Sequence, residues 1–447
     1  MIRGMKVLIK GADIVTLDAQ DRVLRDCDIA ISGRTICAVG GIPADFSPDE
    51  TVAGKNRLVV PAFFNAHCHG AMTLLRGWAE DLPFDRWLNE KIWVAESALE
   101  KDDVVWGAAL AACEMIRSGT VGFADHYFWM EESAKVVEVS GMKALLAWCL
   151  FGLNPEQEVG HATLQKTVDF ARLRHKGAEG RLRVALGPHS PYMCADAFLR
   201  RVVDAAQRLQ VGIHLHLSES PEQVERSLAE HGCTPVAHME ELGVFDAPAH
   251  ALAAHCISVT EEDLAILARK RVSVAHCPKT YMKLGMGMAP LQRQLDLGVN
   301  AALATDGPAS NNDLNMLEVM RLTGLLQKHE QRKPEALPHM QLLRLATAAG
   351  AKAMGFSGSG AIAEGQRADL VLFDTDRPHW QPRHDLAAAV VYASHPGDIT
   401  DVMCDGRWLL RHGELTTLEE EHVRREAEDR GLRLVSAGSQ AARRYRG

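Results

Sequence analysis

His67-Cys68-His69 sets two imidazoles two residues apart. Side chains of an extended strand alternate between faces, so His67 and His69 point the same way and can grip one cation while Cys68 faces away. Alone the pair is a weak signal, because two histidines this close occur in many proteins. His216 and Asp306 stand far along the chain, in GIHLHLSE and NAALATDG, where apolar runs give way to polar turns. Three imidazoles and one carboxylate suit zinc or another borderline divalent ion, with a position left for water. Asp306, with its second oxygen free, is placed to take that water's proton and pass it to a departing group. Glu219 follows His216 by three residues. Beside such a centre a glutamate can carry a proton between water, a ring nitrogen and a leaving amine. The plainer alternative makes it an N-terminal charge for a helix opening at Pro221. His255 closes another apolar run and could hydrogen-bond the attacking oxygen and the tetrahedral centre. His189, in Gly187-Pro188-His189-Ser190-Pro191, reads equally as a substrate contact or a structural residue. His214 shares the strand parity of His216 and reads as a deeper layer or an outer support, and His276 divides in the same way. His126, His161, His231, His238 and His250 read as structural or surface residues.

These residues need a scaffold that gathers strand ends. VVPAFFNAHCH, TVGFADHY, KALLAWCLF, RVALGPHS, GIHLHLSE, HALAAHCIS, VSVAHCP and NAALATDG are strand-like runs. Amphipathic segments such as AFLRRVVDAAQRLQ and EEDLAILARKR lie between many of them. Strands alternating with helices in this number predict a (β/α)8 barrel, whose active sites lie at the C-terminal strand ends. Nearly all the polar residues above fall there. The two chain ends are rich in short strands instead. The expected layout is a small β-sandwich domain shared by residues 1–58 and 365–447, with the metal-dependent barrel over 59–364 and a charged, solvated helix at the tail.

Composition bounds the rest. The chain has 447 residues and a formal net charge of −9, with no basic block long enough to follow a phosphate backbone. Nucleic acid is therefore not an expected partner. The opening MIRGMKVLIKGADIVTLDAQD has no long apolar core, so neither a signal peptide nor a membrane span is expected. Ten cysteines without a C-x-x-C pair read as reduced core residues, which points to the cytoplasm. The expected partner is a small heterocyclic substrate, and the expected assembly a homo-oligomer.

Longer motifs sharpen the expectation. Pro61 to Leu88 (PAFFNAHCHGAMTLLRGWAEDLPFDRWL), Glu114 to Tyr127 (EMIRSGTVGFADHY), GPHSPY, HLHLSES, AAHCIS and ATDGPASNND resemble the amidohydrolase superfamily. With AMGF and EGQRADLVLFD they are most similar to its methylthioadenosine/S-adenosylhomocysteine deaminase and chlorohydrolase branch, and the likeness covers nearly the whole chain. The resemblance implies one divalent ion per chain, usually Zn2+, on the residues matching His67, His69, His216 and Asp306. It implies catalytic roles for Glu219 and His255, a Glu96 (in KIWVAE) that binds ribose hydroxyls, and a His189 that reaches base or sugar. The implied reaction is hydrolytic deamination of an adenosine-type nucleoside (5′-methylthioadenosine, adenosine or S-adenosylhomocysteine) to the inosine analogue and ammonia. The alternative is another ring, guanine, 8-oxoguanine, pterin or s-triazine, losing amine or halide.

Two departures bear on the substrate. Relatives carry arginines after the third strand that grip the amino-acid carboxylate of adenosylhomocysteine. Here that stretch includes Trp148 and no arginine from Cys149 to Ala171. The loop after the seventh strand is Thr280-Tyr281-Met282-Lys283-Leu284. Trp148 and Tyr281 are thus expected to favour a flat or less charged substrate. A two-metal cyclic-amide hydrolase needs a carboxylated lysine ending the fourth strand, where this chain has Pro188-His189. A scaffold that had lost catalysis would be expected to lack a ligand or the glutamate, and all six residues are present.

Overall fold

The computed structural model describes residues 5–445 apart from 155–156 and 160–162. Eight parallel strands form the central sheet: β1 (Phe63–Cys68), β2 (Thr120–Tyr127), β3 (Lys143–Asn154), β4 (Leu182–Pro188), β5 (Gly212–Leu217), β6 (Ala251–His255), β7 (Ser273–His276) and β8 (Asn300–Leu303). Their neighbours follow chain order, as a (β/α)8 barrel requires. Beyond the strand ends, Asp306 N donates to the His67 carbonyl at 3.0 Å. Asn65 spans the same seam, accepting from Thr305 N at 3.0 Å and donating to Thr305 Oγ1 at 2.7 Å. The first and last strands therefore lie side by side, and that closure brings His67 and Asp306 together.

The connecting segments fold as their periodicity dictates. Helix Asp196–Leu209 buries Phe198, Leu199, Val202, Val203, Ala205 and Ala206, the inward stripe of AFLRRVVDAAQRLQ. Helix Glu261–Arg269 starts at a capping box between Thr260 and Asp263.

A separate nine-stranded mixed sheet comes from both ends of the chain, from Lys6–Val15 through to Glu414–Leu415. Its strand Arg57–Pro61 pairs antiparallel with Leu370–Asp374, Val59 opposite Leu372. Val59 to Pro61 thus belong to this sheet, and the barrel begins at Phe63 rather than at Val59. The apolar run is continuous across that point, with no turn residue to mark the change. Lys143, at the start of β3, ties the two parts together through the buried carboxylates of Asp369 and Asp405.

The terminal helix, Glu420–Tyr445, is not the solvated element expected. Val423, Ala427 and Leu434 are buried, and Gly431 leaves room for the Leu74 carbonyl, which a Cβ would meet at 2.8 Å. Arg117 pairs with Glu420 and Arg433 with Asp103, fastening the helix over Lys101–Arg117. Among the described residues no helix is long and apolar enough to cross a membrane.

Candidate active site

The polar side chains converge at the C-terminal mouth of the barrel. His67 lies in β1, and His69 follows it in a turn held by Gly70 N donating to Asp125 Oδ1 at 2.9 Å. His216 ends β5, and Asp306 lies beyond β8. His69 Nε2 stands 3.2 Å and His67 Nε2 3.4 Å from Asp306 Oδ1. His216 Nε2 stands 3.4 Å from His69 Nε2. The strand exits are strained to achieve this: Ser218, His255, Cys256 and Asp306 all take positive φ, from 47° to 78°. Such backbone costs about 1–3 kcal/mol per residue outside glycine and clusters at functional sites.

The hydrogen bonds fix what each ring offers. His69 Nδ1 meets the His126 carbonyl at 2.6 Å, and His216 Nδ1 meets the His189 carbonyl at 2.9 Å. A carbonyl only accepts, so both Nδ1 atoms donate. In the neutral rings each Nε2 then holds a lone pair aimed at the centre. Two lone pairs 3.4 Å apart repel unless a cation or a proton lies between them. His67 Nε2 is buried without a hydrogen-bond partner among the described residues, and burial pushes its imidazole down to about 4. Burial also opposes a proton on His69, yet Asp306 outweighs it and raises that ring to about 9. The donor atoms of His67, His69 and Asp306 lie within 4.8 Å of one another, as do those of His67, His216 and His255. A divalent cation there would replace that proton and meet the facing lone pairs, so the donor set fits a metal. Asp306 differs in one respect from the expectation of a free second oxygen. Its Oδ2 accepts from Ser310 Oγ at 3.0 Å, and Thr280 Oγ1 lies 3.1 Å from that hydroxyl.

Glu219 projects into the mouth rather than capping the following helix, a task done by Ser220, whose side chain accepts from Gln223 N. Glu219 Oε1 stands 3.4 Å from His255 Nε2. Burial raises the Glu219 carboxyl above its ordinary range, against the lowering effect of His255. A carboxyl raised in this way keeps its proton to higher pH than a free one, which suits it to proton transfer.

Above these groups opens a cleft of about 610 Å3, solvent space at its mouth included. Glu96 lines it, buried, accepting from the Tyr127 hydroxyl at 2.6 Å. Burial drives the Glu96 carboxyl up to about 7. His189 also lines it, stacked on Phe151 at 5.0 Å, and burial holds its ring at about 3 and therefore neutral. Phe84, Trp87, Trp93 and Phe128 supply an aromatic wall suited to a flat ring.

Trp148 does not reach this cleft. It occupies the outer face of β3 against Phe170 of helix Leu164–Arg174, while its neighbours Cys149 and Phe151 line the cleft. Tyr281 is likewise buried, its hydroxyl accepting from Cys277 N at 2.9 Å, so the expected aromatic pair forms no substrate wall. From its loop, which is the helix Pro278–Leu284, only Leu284 lines the cleft. His126, taken from the sequence as structural or surface, is buried and lines the cleft, and its carbonyl holds His69. Asp125 and Tyr127 beside it also serve the site. Their signal was the polar ADHY ending of an otherwise apolar strand. His276 is buried away from the cleft, and His161 lies outside the described residues.

The cleft opens into a larger antechamber shared by Phe84, Leu88, Trp93, Tyr192 and Leu284, with Met193 and Met286 beyond. Among its described lining residues the basic group is Arg226, held by Glu230 at 2.9 Å, and Asp85 and Glu222 add negative charge.

The amidohydrolase family model matches residues 58–409. The 5-methylthioadenosine/S-adenosylhomocysteine deaminase of Pelotomaculum thermopropionicum is 43% identical over 433 residues, covering 96% of this chain and 99% of that protein. Its namesake from Dictyoglomus thermophilum is 42% identical over 431 residues, with coverage of 96% and 99%. Among solved structures, an adenosine deaminase from Xanthomonas campestris with bound zinc superposes with a TM-score of 0.90 at 32% identity, covering 97% of this chain and 99% of that one. A triazine hydrolase variant, at TM-score 0.87 and 23% identity, shares the fold.

Proposed function

This chain belongs to the amidohydrolase family, and we propose that it is a zinc-dependent hydrolase that removes the amino group from the purine of adenosine-type nucleosides, 5′-methylthioadenosine above all. The observation that carries this reading is the convergence of three imidazoles and Asp306 beside the buried Glu219–His255 pair. The reaction is hydrolysis of a C–N bond, giving the inosine analogue and ammonia.

One ion per chain is held by His67, His69, His216 and Asp306. When bound, it supplies Lewis-acid activation of water at neutral pH. Asp306 takes a proton from the attacking water and passes it to the departing amine. The Ser310 hydroxyl on Oδ2 limits which lone pair does this work. Glu219 gives its proton to the ring nitrogen next to the carbon under attack, so negative charge does not build on the ring. His255 holds the attacking oxygen in line. As the new carbonyl forms, its hydroxyl proton returns to Glu219 and closes the cycle.

Glu96 anchors the ribose through its carboxylate. Because burial sets that carboxyl at about 7, its charged form is lost as the pH falls below neutral. The KM for nucleoside should rise by up to about tenfold per pH unit below that value, following the carboxylate fraction. It should level off above, and Glu96→Gln should flatten the profile at a high KM.

The antechamber favours an uncharged 5′ tail. Its methionine, leucine and aromatic lining suits a thioether, and its described basic group is already paired. We expect kcat/KM for 5′-methylthioadenosine to exceed that for S-adenosylhomocysteine by about tenfold or more, the worth of one missing charged hydrogen bond. A preference for S-adenosylhomocysteine would refute the tail assignment. Failure with every adenosine, together with ammonia release from guanine or a pterin, would refute the nucleoside reading.

A further inference from the structure

The three imidazoles facing the centre are not braced alike. His69 and His216 donate Nδ1–H to backbone carbonyls, acceptors that persist whatever side chain stands there. His67 leans on a side chain instead. Its Nδ1 lies 2.9 Å from His214 Nε2, the two rings edge-on with centroids 5.0 Å apart. His214 precedes His216 by two residues in β5, so it shares that face one layer deeper, and it is fully buried. Its ring stacks on His126 at 5.2 Å, and its Nδ1 finds no partner among the described residues. A buried polar atom left unpaired is destabilising, so by packing alone an apolar ring of the same size would sit there at lower cost. The packing alone gives no reason for an imidazole. The contact with His67 does.

We propose that His214 is a positioning residue for the metal centre: it holds the His67 ring so that the Nε2 lone pair faces the cation. This rests on the reading of His67 as a ligand. The task needs a group that can both donate and accept. Without a cation, a proton on His67 Nε2 would face Asp306 Oδ1 at 3.4 Å, and Nδ1 would accept from His214 Nε2–H across the 2.9 Å contact. With a cation, His67 must bear its proton on Nδ1 and donate to His214 Nε2. The proton of His214 Nε2 has then crossed to His67 Nδ1, the Nε2 proton of His67 has gone to water, and His214 has taken one from water on Nδ1. The bond survives in both states with its direction reversed, and no net proton is gained or lost by the pair. A glutamine amide can serve either direction by turning over, whereas a phenylalanine ring can serve neither.

The test is zinc affinity, measured by competition with a chromophoric chelator on stripped wild type, His214→Phe and His214→Gln. Thermal unfolding of the metal-free proteins is read in parallel. His214→Phe should bind zinc about 10–100-fold more weakly, the usual penalty for losing an outer partner of a ligating histidine. Its metal-free unfolding temperature should change little, because the ring removes the unpaired His214 Nδ1 and in exchange leaves the buried His67 Nδ1 unpaired. His214→Gln should recover most of the affinity. Should His214→Phe fail to fold, His214→Asn, whose amide stops short of His67, carries the same expected loss. Wild-type affinity in His214→Phe or His214→Asn, or an equal loss in His214→Gln, would overturn the proposal. A wild-type protein that binds no zinc would overturn the metal reading instead, which keeps the two failures apart.

Discussion

Glu219→Gln should bind zinc and fold as the wild type does while kcat falls by about two to four orders of magnitude, the usual scale for a positioned acid–base group. The amide keeps the size of the side chain and its contacts with Gln223, whose Oε1 accepts from the Glu219 backbone N–H at 2.9 Å. It cannot cycle a proton between ring nitrogen and product. The loss should fall on kcat more than on KM, because the proton moves in the transition state and not on binding. Metal retention is expected because Glu219 Oε1 faces His255 rather than the four groups around Asp306. Turnover within a few-fold of wild type, measured on protein with full zinc content, would remove Glu219 from the proton path.

His216→Ala should abolish deamination through the metal and leave the fold standing. His216 is the penultimate residue of β5, at the mouth, so its removal opens space into the cleft rather than into the close-packed barrel. Three donors remain, but the lost Nε2 is the one facing His69 Nε2 at 3.4 Å across the centre. Zinc affinity should fall well beyond the roughly 10–100-fold expected for an outer partner. Activity should return only in part at high zinc. Wild-type zinc content in His216→Ala by elemental analysis would rule out this donor set.

Much of the site was legible because strand parity and barrel topology are strong constraints. Alternation paired His67 with His69, although His69 lies just past the end of β1 and its ring is set by the His126 carbonyl, and the eight-strand pattern placed His216, His255 and Asp306 at the same mouth. Where both faces of a strand are apolar, alternation carries no signal. KALLAWCLF offered no way to tell that Cys149 and Phe151 line the cleft while Trp148 packs on Phe170. Tyr281 misled for a related reason: the segment taken as a loop is the helix Pro278–Leu284, which turns the ring inward. The join at Val59 to Pro61 was hidden by an unbroken apolar run shared between two sheets. The docked terminal helix was readable in principle, since Val423, Ala427, Leu434 and Gly438 repeat at spacings of four and seven within a charged sequence. The hold of Ser310 on Asp306 depends on a turn closing over four residues, which composition does not encode.

One cation at the four-residue centre is expected to drive hydrolytic deamination. The measurement is a titration of stripped protein with zinc, with ammonia release from 5′-methylthioadenosine as the readout. The rate should climb linearly from background and break at one ion per chain. Full activity before any zinc is added, in protein free of other metals by elemental analysis, or a break at two ions per chain, would contradict it.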